Sequence, residues 1–284
     1  MQNIRDLRKR IRAIENIRRI TSAMEKIAAA RLFRAKTSLA NSKPYAAALE
    51  QIARDLLSSQ PEAVYPLTVR NQEGYVLAIL VTSDRGLCGG YNTRVIEKAG
   101  EFADTTGRDR VKFVALGRKG ADFLRKHHYE ILESHVNLPA SLPHSYTEEI
   151  VRRVIDLYVA KEVSEVHLIA TEFASIARHI PKVKMILPVD LSPEPERNYM
   201  NYSYEPDPAA ITTSILPRLV RTRVWSGVME SMVSEHAARM FMMERATKNT
   251  DDMIAALVMV MNKARQSAIT RELTDIVGAA ETMA

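Results

Sequence analysis

A single cysteine, Cys88, is present in 284 residues. One thiol excludes an intrachain disulfide and any multi-cysteine zinc or iron–sulfur site, and it fits a reducing compartment. Aromatic residues make up only 6%, and 10 Gly and 12 Pro are too few for an all-β chain full of tight turns, so helix is expected to dominate. Long apolar runs are missing too. The most apolar stretch, Val76 to Thr82, is closed by Ser83, Asp84 and Arg85, well short of the roughly 18 to 20 residues that cross a bilayer. The N-terminus, MQNIRDLRKRIRAIENIRRI, is charged from its first turn and lacks the uncharged core of a signal peptide. Asp6, Glu15 and Glu25 within it argue against an Arg-rich transit peptide, so secretion is not expected.

What is present is ordinary globular material, unevenly charged. The hydrophobic fraction is 46%, with 40 Lys and Arg against 34 Asp and Glu. Up to Lys36 there are eleven basic residues and three acidic ones, whereas from Ala210 onward nine basic residues meet eight acidic ones. The basicity therefore belongs to the first helix. Clustering of that kind suggests an acidic partner surface: nucleic acid, anionic lipid or protein carboxylates.

Both ends of the chain carry helical periodicity. Ile4, Leu7, Ile11 and Ile14 step by three and four, and after one extra step of three the series resumes at Ile17, Ile20, Met24 and Ile27, which reads as a coiled-coil seam with a stammer. No Gly or Pro occurs from Asn3 to Ser42, so the helix should reach Pro44 and, past it, Leu57. Near the other end, His236, Met240, Met243, Thr247, Thr250, Ile254, Leu257, Met261, Ala264 and Ala268 alternate steps of four and three. A helix from about Thr213 to Val277 would be roughly 100 Å long. A compact body of this chain length has a diameter of only about 50 Å, so the helix must project and take cover from the N-terminal helix in an antiparallel pair. Its last turns, with Ile269, Leu273, Ile276 and Val277, should overhang and need another protein.

Between the long helices, strands are expected at Tyr75 to Thr82, Val111 to Leu116, Tyr129 to Val136, Val163 to Thr171 and Val183 to Val189. Helices are expected near Tyr91 to Ala103, Gly117 to His127 and Thr147 to Lys161. Such alternation indicates a Rossmann-like α/β domain with a mostly parallel sheet. The expected organisation is an N-terminal coiled-coil helix over 1–58, an α/β domain over 74–190, a linker over 191–209 within the five-proline stretch Pro188 to Pro208, and a C-terminal coiled-coil helix over 210–284.

Few residues suggest bond chemistry. The turn SDRGLCGGYN follows a strand and opens a helix, where backbone N–H groups could cradle phosphate, but it lacks both the P-loop ending and GxGxxG spacing. Cys88 has no histidine nearby in sequence to activate it and reads as a small packed thiol. His127, His128 and His135 with Glu130 and Glu133 match no metal-ligand spacing and read as surface residues. The methionines at Met229, Met232, Met240, Met242, Met243, Met253, Met259 and Met261 read as gap-filling packing.

Four motifs carry a resemblance. RIRAIENIRRITSAMEKIAAARLFRAK at Arg10 to Lys36, SDRGLCGGYNT at Ser83 to Thr93, EHAARM at Glu235 to Met240, and NKARQSAITRELTDIVGAA at Asn262 to Ala280 together resemble the gamma subunit of bacterial F-type ATP synthases. The resemblance runs across nearly the whole chain. It implies a central rotor shaft: an antiparallel coiled coil inside a ring of three alpha and three beta subunits, with the α/β domain as a foot that binds the epsilon subunit and the membrane ring of c subunits. It implies a non-catalytic subunit of the ion-transporting two-sector ATPase, without cofactor or nucleic-acid partner, attached peripherally through the c-ring at the cytoplasmic face of the bacterial cell membrane.

The same resemblance implies contact residues. Arg265, Gln266 and Thr270 fall where gamma subunits hydrogen-bond a loop of beta, and Arg239 and Glu272 fall at positions implicated in that coupling. Met24 falls where the short helix faces the acidic C-terminal loop of beta, with Cys88 and its glycines nearby. Arg10, Arg12, Arg31 and Arg34 acquire a carboxylate partner by this reading, and Ile276 and Val277, with Gly278, Ala279 and Ala280, form an apolar tip that turns in a sleeve. Arg271 departs from the Gln common in bacterial members, and the cysteine-bearing insertion of chloroplast members is missing. Two other classes remain on the residues alone: a nucleotide-dependent enzyme built on the glycine turn, and a nucleic-acid-binding coiled coil built on the basic helix.

Overall fold

The computed structural model describes residues 4–139, 142–176, 178–191 and 204–283. Most of the proline-rich linker expected over 191–209 lies outside them. Two helices run through the chain's ends, α1 over Ile4–Ser59 and α5 over Pro208–Met283, and three shorter ones are α2 (Tyr91–Thr106), α3 (Arg118–Lys126) and α4 (His144–Val159). The chain divides into two compact units, Ala29–Ala238 and the pair of segments Met1–Ala28 and Arg239–Ala284.

In the larger unit, β1 (Tyr75–Val81), β2 (Val111–Leu116), β3 (Glu130–His135), β4 (Val163–Phe173) and β5 (His179–Leu187) form one sheet in the order β3-β2-β1-β4-β5. All neighbours are parallel except β4 and β5. The central strand explains its own burial. Val76, Ala78 and Leu80 pack with Val95, Ala99 and Leu124 of α2 and α3, and Leu77, Ile79 and Val81 join the core shared by α4 and by parts of α1 and α5. Alternate residues of a strand point to opposite faces, so a strand covered on both sides must be apolar throughout, as YVLAILV is. Gly117, with φ near +102°, lets the chain leave β2 beneath Thr82, whose carbonyl oxygen would lie 2.1 Å from any Cβ there.

β5 begins four residues before the expected Val183, because β4 runs on to Phe173 and pairs with it antiparallel from Phe173 opposite His179. Pro181 lies within β5. On the outermost strand its missing N–H costs no ladder bond, and Thr171 lies opposite it. Likewise α1 continues through Pro44, and His127 and His128 close α3 rather than riding on it, His128 being in the left-handed region at φ +59°.

In the smaller unit the two long helices pair antiparallel. Thr247 Oγ1 lies 2.9 Å from Thr21 Oγ1, and Arg18 forms an ion pair with Asp251. On that register Ile4 lies level with Ala264, Ile11 with Leu257 and Ile14 with Ile254. The expected seam of α5 is the observed one from Met240 to Ala264, whereas Ala268 is exposed. That of α1 holds only as far as Ile14: Leu7, Ile11, Ile14, Arg18, Thr21, Glu25 and Ala28 continue an unbroken alternation of four and three, and Ile17, Ile20 and Ile27 are at least half exposed. No stammer is needed because polar residues can occupy the seam. Thr21 donates its hydroxyl to the Arg18 carbonyl at 3.0 Å, and Arg18 lays its stem along the helix to reach Asp251. Ile17, Ile20, Met24 and Ile27 therefore form a second, uncovered stripe.

Replacing Leu7 by Ala should cost about 2–4 kcal/mol of α1–α5 pairing, and Ile20→Ser less than about 0.5 kcal/mol, as read from thermal unfolding of the two variants. In the larger unit Tyr158 is buried and donates to the Val69 carbonyl at 2.7 Å; burial pushes its phenol up to about 12. A neutral phenol retained in the fold holds more protons than the unfolded chain above pH ~10, so this stability is complete below pH ~10 and falls as pH rises towards ~12. Tyr158→Phe should lose about 1 kcal/mol at neutral pH, and flatten the alkaline decline in a urea-melt series.

Candidate functional site

In an open α/β sheet, ligands sit beyond the carboxyl ends of the strands where the order reverses, here between β1 and β4. Protein already fills that crevice. Ser231 of α5 accepts the Thr171 N–H at 3.1 Å and shares a 2.8 Å hydrogen bond with Tyr91 Oη at the start of α2, and Ser234 donates to the Thr171 carbonyl at 3.3 Å. These are buried groups. A nucleotide in the glycine turn would have to displace α5, so the turn serves a structural end.

That turn is braced from within. The Ser83 N–H donates to Asn92 Oδ1 at 3.0 Å, Asn92 Nδ2 donates to Cys88 Sγ at 3.2 Å, and Asp84 accepts the backbone N–H groups of Arg118, Asn137 and Leu138 at 2.9–3.0 Å. Cys88 is only 1% exposed and packs with Tyr91 and Ala238. The side chain that the turn presents to solvent is Leu87, 61% exposed and held at φ +66°, a conformation that disfavours leucine. Sequence reasoning fixed on the thiol and passed over its neighbour. The cue was available: a large apolar residue between glycines in a turn has no core to enter.

On the sheet, several titratable groups are paired. Glu133 bonds His135 at 2.9 Å and Arg153 at 2.6 Å, and Glu165 bonds His167 at 2.9 Å. Lys182 hydrogen-bonds Glu172 and holds its carboxyl below the ordinary range, and burial holds the His179 imidazole below its own. Among the described residues no three His, Cys, Asp or Glu side chains are grouped to hold a metal ion.

On α1, Arg10, Arg12, Arg31 and Arg34 are exposed, and among the described residues none of the four forms an ion pair; Arg34 Nε donates only to the Ala30 carbonyl at 3.4 Å. Helical spacing sets Arg10 just before, and Arg31 just after, the stripe of Ile17, Ile20, Met24 and Ile27. The stripe is thus about 15 Å of apolar surface with a cation at either end. Phe33, on another face of α1, is 73% exposed, and no periodicity had signalled it.

On α5 the partition is sharper. Arg239 is half-buried, whereas every described side chain from Arg265 to Val277 is exposed, including Gln266, Thr270, Glu272, Ile276 and Val277. Thr270 returns its hydroxyl to the Gln266 carbonyl at 3.0 Å. The side chains of Gly278, Ala279 and Ala280 lie outside the described residues. From Arg265 to Met283 the helix extends about 28 Å past its last layer with α1. The site residues therefore divide among three surfaces: the stripe of α1, the braced turn and the bare end of α5.

The burial of Cys88 makes a direct prediction: in the folded chain a thiol reagent should react with it at least about 100-fold more slowly than in urea, and Asn92→Ala should narrow that gap, as followed by absorbance of the released chromophore.

The geometry agrees with what comparison with known proteins returns. The ATP synthase family profile matches residues 3–283. The ATP synthase gamma chain of Moorella thermoacetica is 36% identical over 283 residues, with 100% of both chains covered, and that of Desulfitobacterium hafniense is 37% identical at the same coverage. Among solved structures, the rotor of the Euglena gracilis mitochondrial ATP synthase superposes with a TM-score of 0.66 at 13% identity, over 94% of this chain and 98% of that one. A chain of the central stalk and c-ring of the Tetrahymena thermophila mitochondrial enzyme gives 0.63 at 21% identity, over 80% and 99%. Matched from end to end in sequence and in fold, the chain belongs to the ATP synthase gamma-chain family, and its role is to couple rotation of the central stalk to catalysis.

Proposed function

We propose that the chain is the non-catalytic shaft of its synthase, turning inside a ring of three alpha and three beta subunits and driven through its α/β domain by a membrane ring of c subunits. The observation that carries this reading is the end of α5: a helix with Ile269, Leu273, Ile276 and Val277 exposed and, among the described residues, no second helix to cover them. Exposed apolar residues at helical spacing mark a surface made for other chains. Around that end, apolar contact without fixed geometry lets the shaft turn, whereas Arg265, Gln266, Thr270 and Glu272 make directional contacts available only at some angles. Contacts that differ between angles are what allow shaft orientation to bias the conformation of each catalytic site.

The α1 surface supplies the second contact. Its stripe offers an apolar ridge with Arg10, Arg12, Arg31 and Arg34 around it, which suits the acidic C-terminal loop of beta, with Met24 at the ridge and Leu87 reaching out from the turn over Cys88. Arg239 belongs to the same coupling in this reading. The epsilon subunit and the c-ring would engage the α/β domain, so the attachment to the cytoplasmic face of the cell membrane is peripheral; no helix among the described residues is long and apolar enough to cross it.

The test is reconstitution with alpha and beta subunits and the membrane sector. Ion-driven ATP synthesis should appear only when this chain is added, and full coupling in its absence would refute the assignment. Arg265→Ala with Gln266→Ala should lower coupled synthesis about tenfold or more while leaving assembly intact, given roughly 1.5–3 kcal/mol for a hydrogen bond involving a charged group.

A further inference from the structure

A shaft transmits torque only if its parts keep one angle between them, and apolar packing alone does not guarantee that. Side chains meeting by dispersion and burial attract without direction, so a helix seated in an apolar groove can creep. A step of one residue along a helix is a rotation of about 100° and a rise of about 1.5 Å. Where α5 crosses the sheet, its neighbours Val228, Met229, Met232 and Val233 are buried and apolar. Three small residues on one stripe of the same stretch differ from them: Gly227, Ser231 and Ser234, at spacings of four and three.

We infer that Gly227, Ser231 and Ser234 form a torsional key that holds α5 at one angle and one height on the α/β domain. The inference rests on the shaft reading for its purpose, but not for its geometry. Ser231 and Ser234 grip both backbone groups of a single strand residue: Ser231 Oγ takes the Thr171 N–H at 3.1 Å, and Ser234 Oγ gives its proton to the Thr171 carbonyl at 3.3 Å. Tyr91 Oη closes the grip from α2, 2.8 Å from Ser231 Oγ. The grip runs through the backbone of Thr171, since that residue's own hydroxyl is buried without a partner. One turn below, Gly227 receives the Leu168 side chain so closely that a Cβ at 227 would lie 2.2 Å from Leu168 Cδ2. Leu168 is itself buried and cannot easily give way.

Each element of this arrangement is directional or steric, and it lies in dry surroundings. Turning α5 by one residue would strand the N–H and carbonyl of Thr171 and both serine hydroxyls, and would drive a larger side chain into the Leu168 notch. One other buried tie holds α5 in this unit, Trp225 Nε1 donating to the Leu142 carbonyl at 3.1 Å, and the ion pairs are looser. Lys184 to Glu230 and Arg223 to Glu50 join long side chains at the surface, which stretch and re-form. The key residues lie on α5, the helix that runs from Pro208 to Met283. The key residues are positioning residues and touch no substrate.

Two measurements test the key, with Ser231→Ala combined with Ser234→Ala and, should that pair fold poorly, Ser231→Ala alone. In the assembled complex, a bead fixed to the α/β domain is watched during the pauses of ATP-driven rotation. The variance of its angle should rise about twofold in the variant with turnover at saturating ATP unchanged, and Lys184→Ala should leave the variance as it is. In the isolated full chain, amide hydrogen exchange at Thr171 should quicken at least about tenfold, with Leu168 and Ile169 unchanged. Rotation with unaltered variance overturns the key, as does unaltered exchange at Thr171. A wild-type bead that never turns refutes the shaft reading instead, and the exchange result then still decides whether the grip exists.

Discussion

A helix of 76 residues has an apolar face longer than any one neighbour can cover, and the structure is organised around that mismatch. Between Pro208 and Ala238, α5 lies in the core of the α/β domain. From Arg239 to Ala264 its seam is met by α1, layer by layer. From Arg265 to Val277 its described side chains are exposed. The three stretches differ in side chain accordingly: large and methionine-rich where a sheet must be filled, regularly alternating where another helix must be matched, and mixed polar and apolar where the surface is left for other chains.

The α/β domain has the layout of a ligand-binding sheet with the ligand's place taken. The strand order, the glycine turn after β1 and the helix that follows it would ordinarily frame a nucleotide. Here Ser231 and Ser234 fill the crevice with the backbone of Thr171 as their partner. The crevice is thus filled by an intrachain helix, and the N–H of Ser83 in the glycine turn is satisfied by Asn92 within the turn. The same economy recurs in the turn itself, where Asn92 and Asp84 spend their hydrogen bonds on bracing and leave Leu87 facing outward.

How much of this was legible beforehand depended on whether burial followed from local pattern. β1 and β2 could be read almost to the residue, because strands covered on both faces are apolar without interruption. The α5 seam could be read from its alternation between Met240 and Ala264. The α1 seam was misread at Ile17 and Ile20: three isoleucines in helical spacing outweigh a threonine and an arginine on any hydrophobicity count, yet Thr21 and Arg18 are the residues that face α5. Leu87 and Phe33 were missed because exposure of a single apolar residue leaves no periodic trace.

What the sequence alone determined is therefore the repeat and its length. Alternation of four and three sets a seam on a helix, and the lack of Gly and Pro from Asn3 to Ser42 and from Val228 to Val277 favours unbroken helix there, for reasons contained in the backbone and its neighbours. Only the tertiary structure decided which of two stripes on α1 is the seam, and which element fills the crevice between β1 and β4. Those choices turn on whether a hydroxyl or a guanidinium finds a partner across the interface, and the partner lies more than 200 residues away for Thr21 and 60 for Thr171. Distant partners leave no mark on the local pattern, which is why hydrophobic spacing could name the candidates but not choose between them.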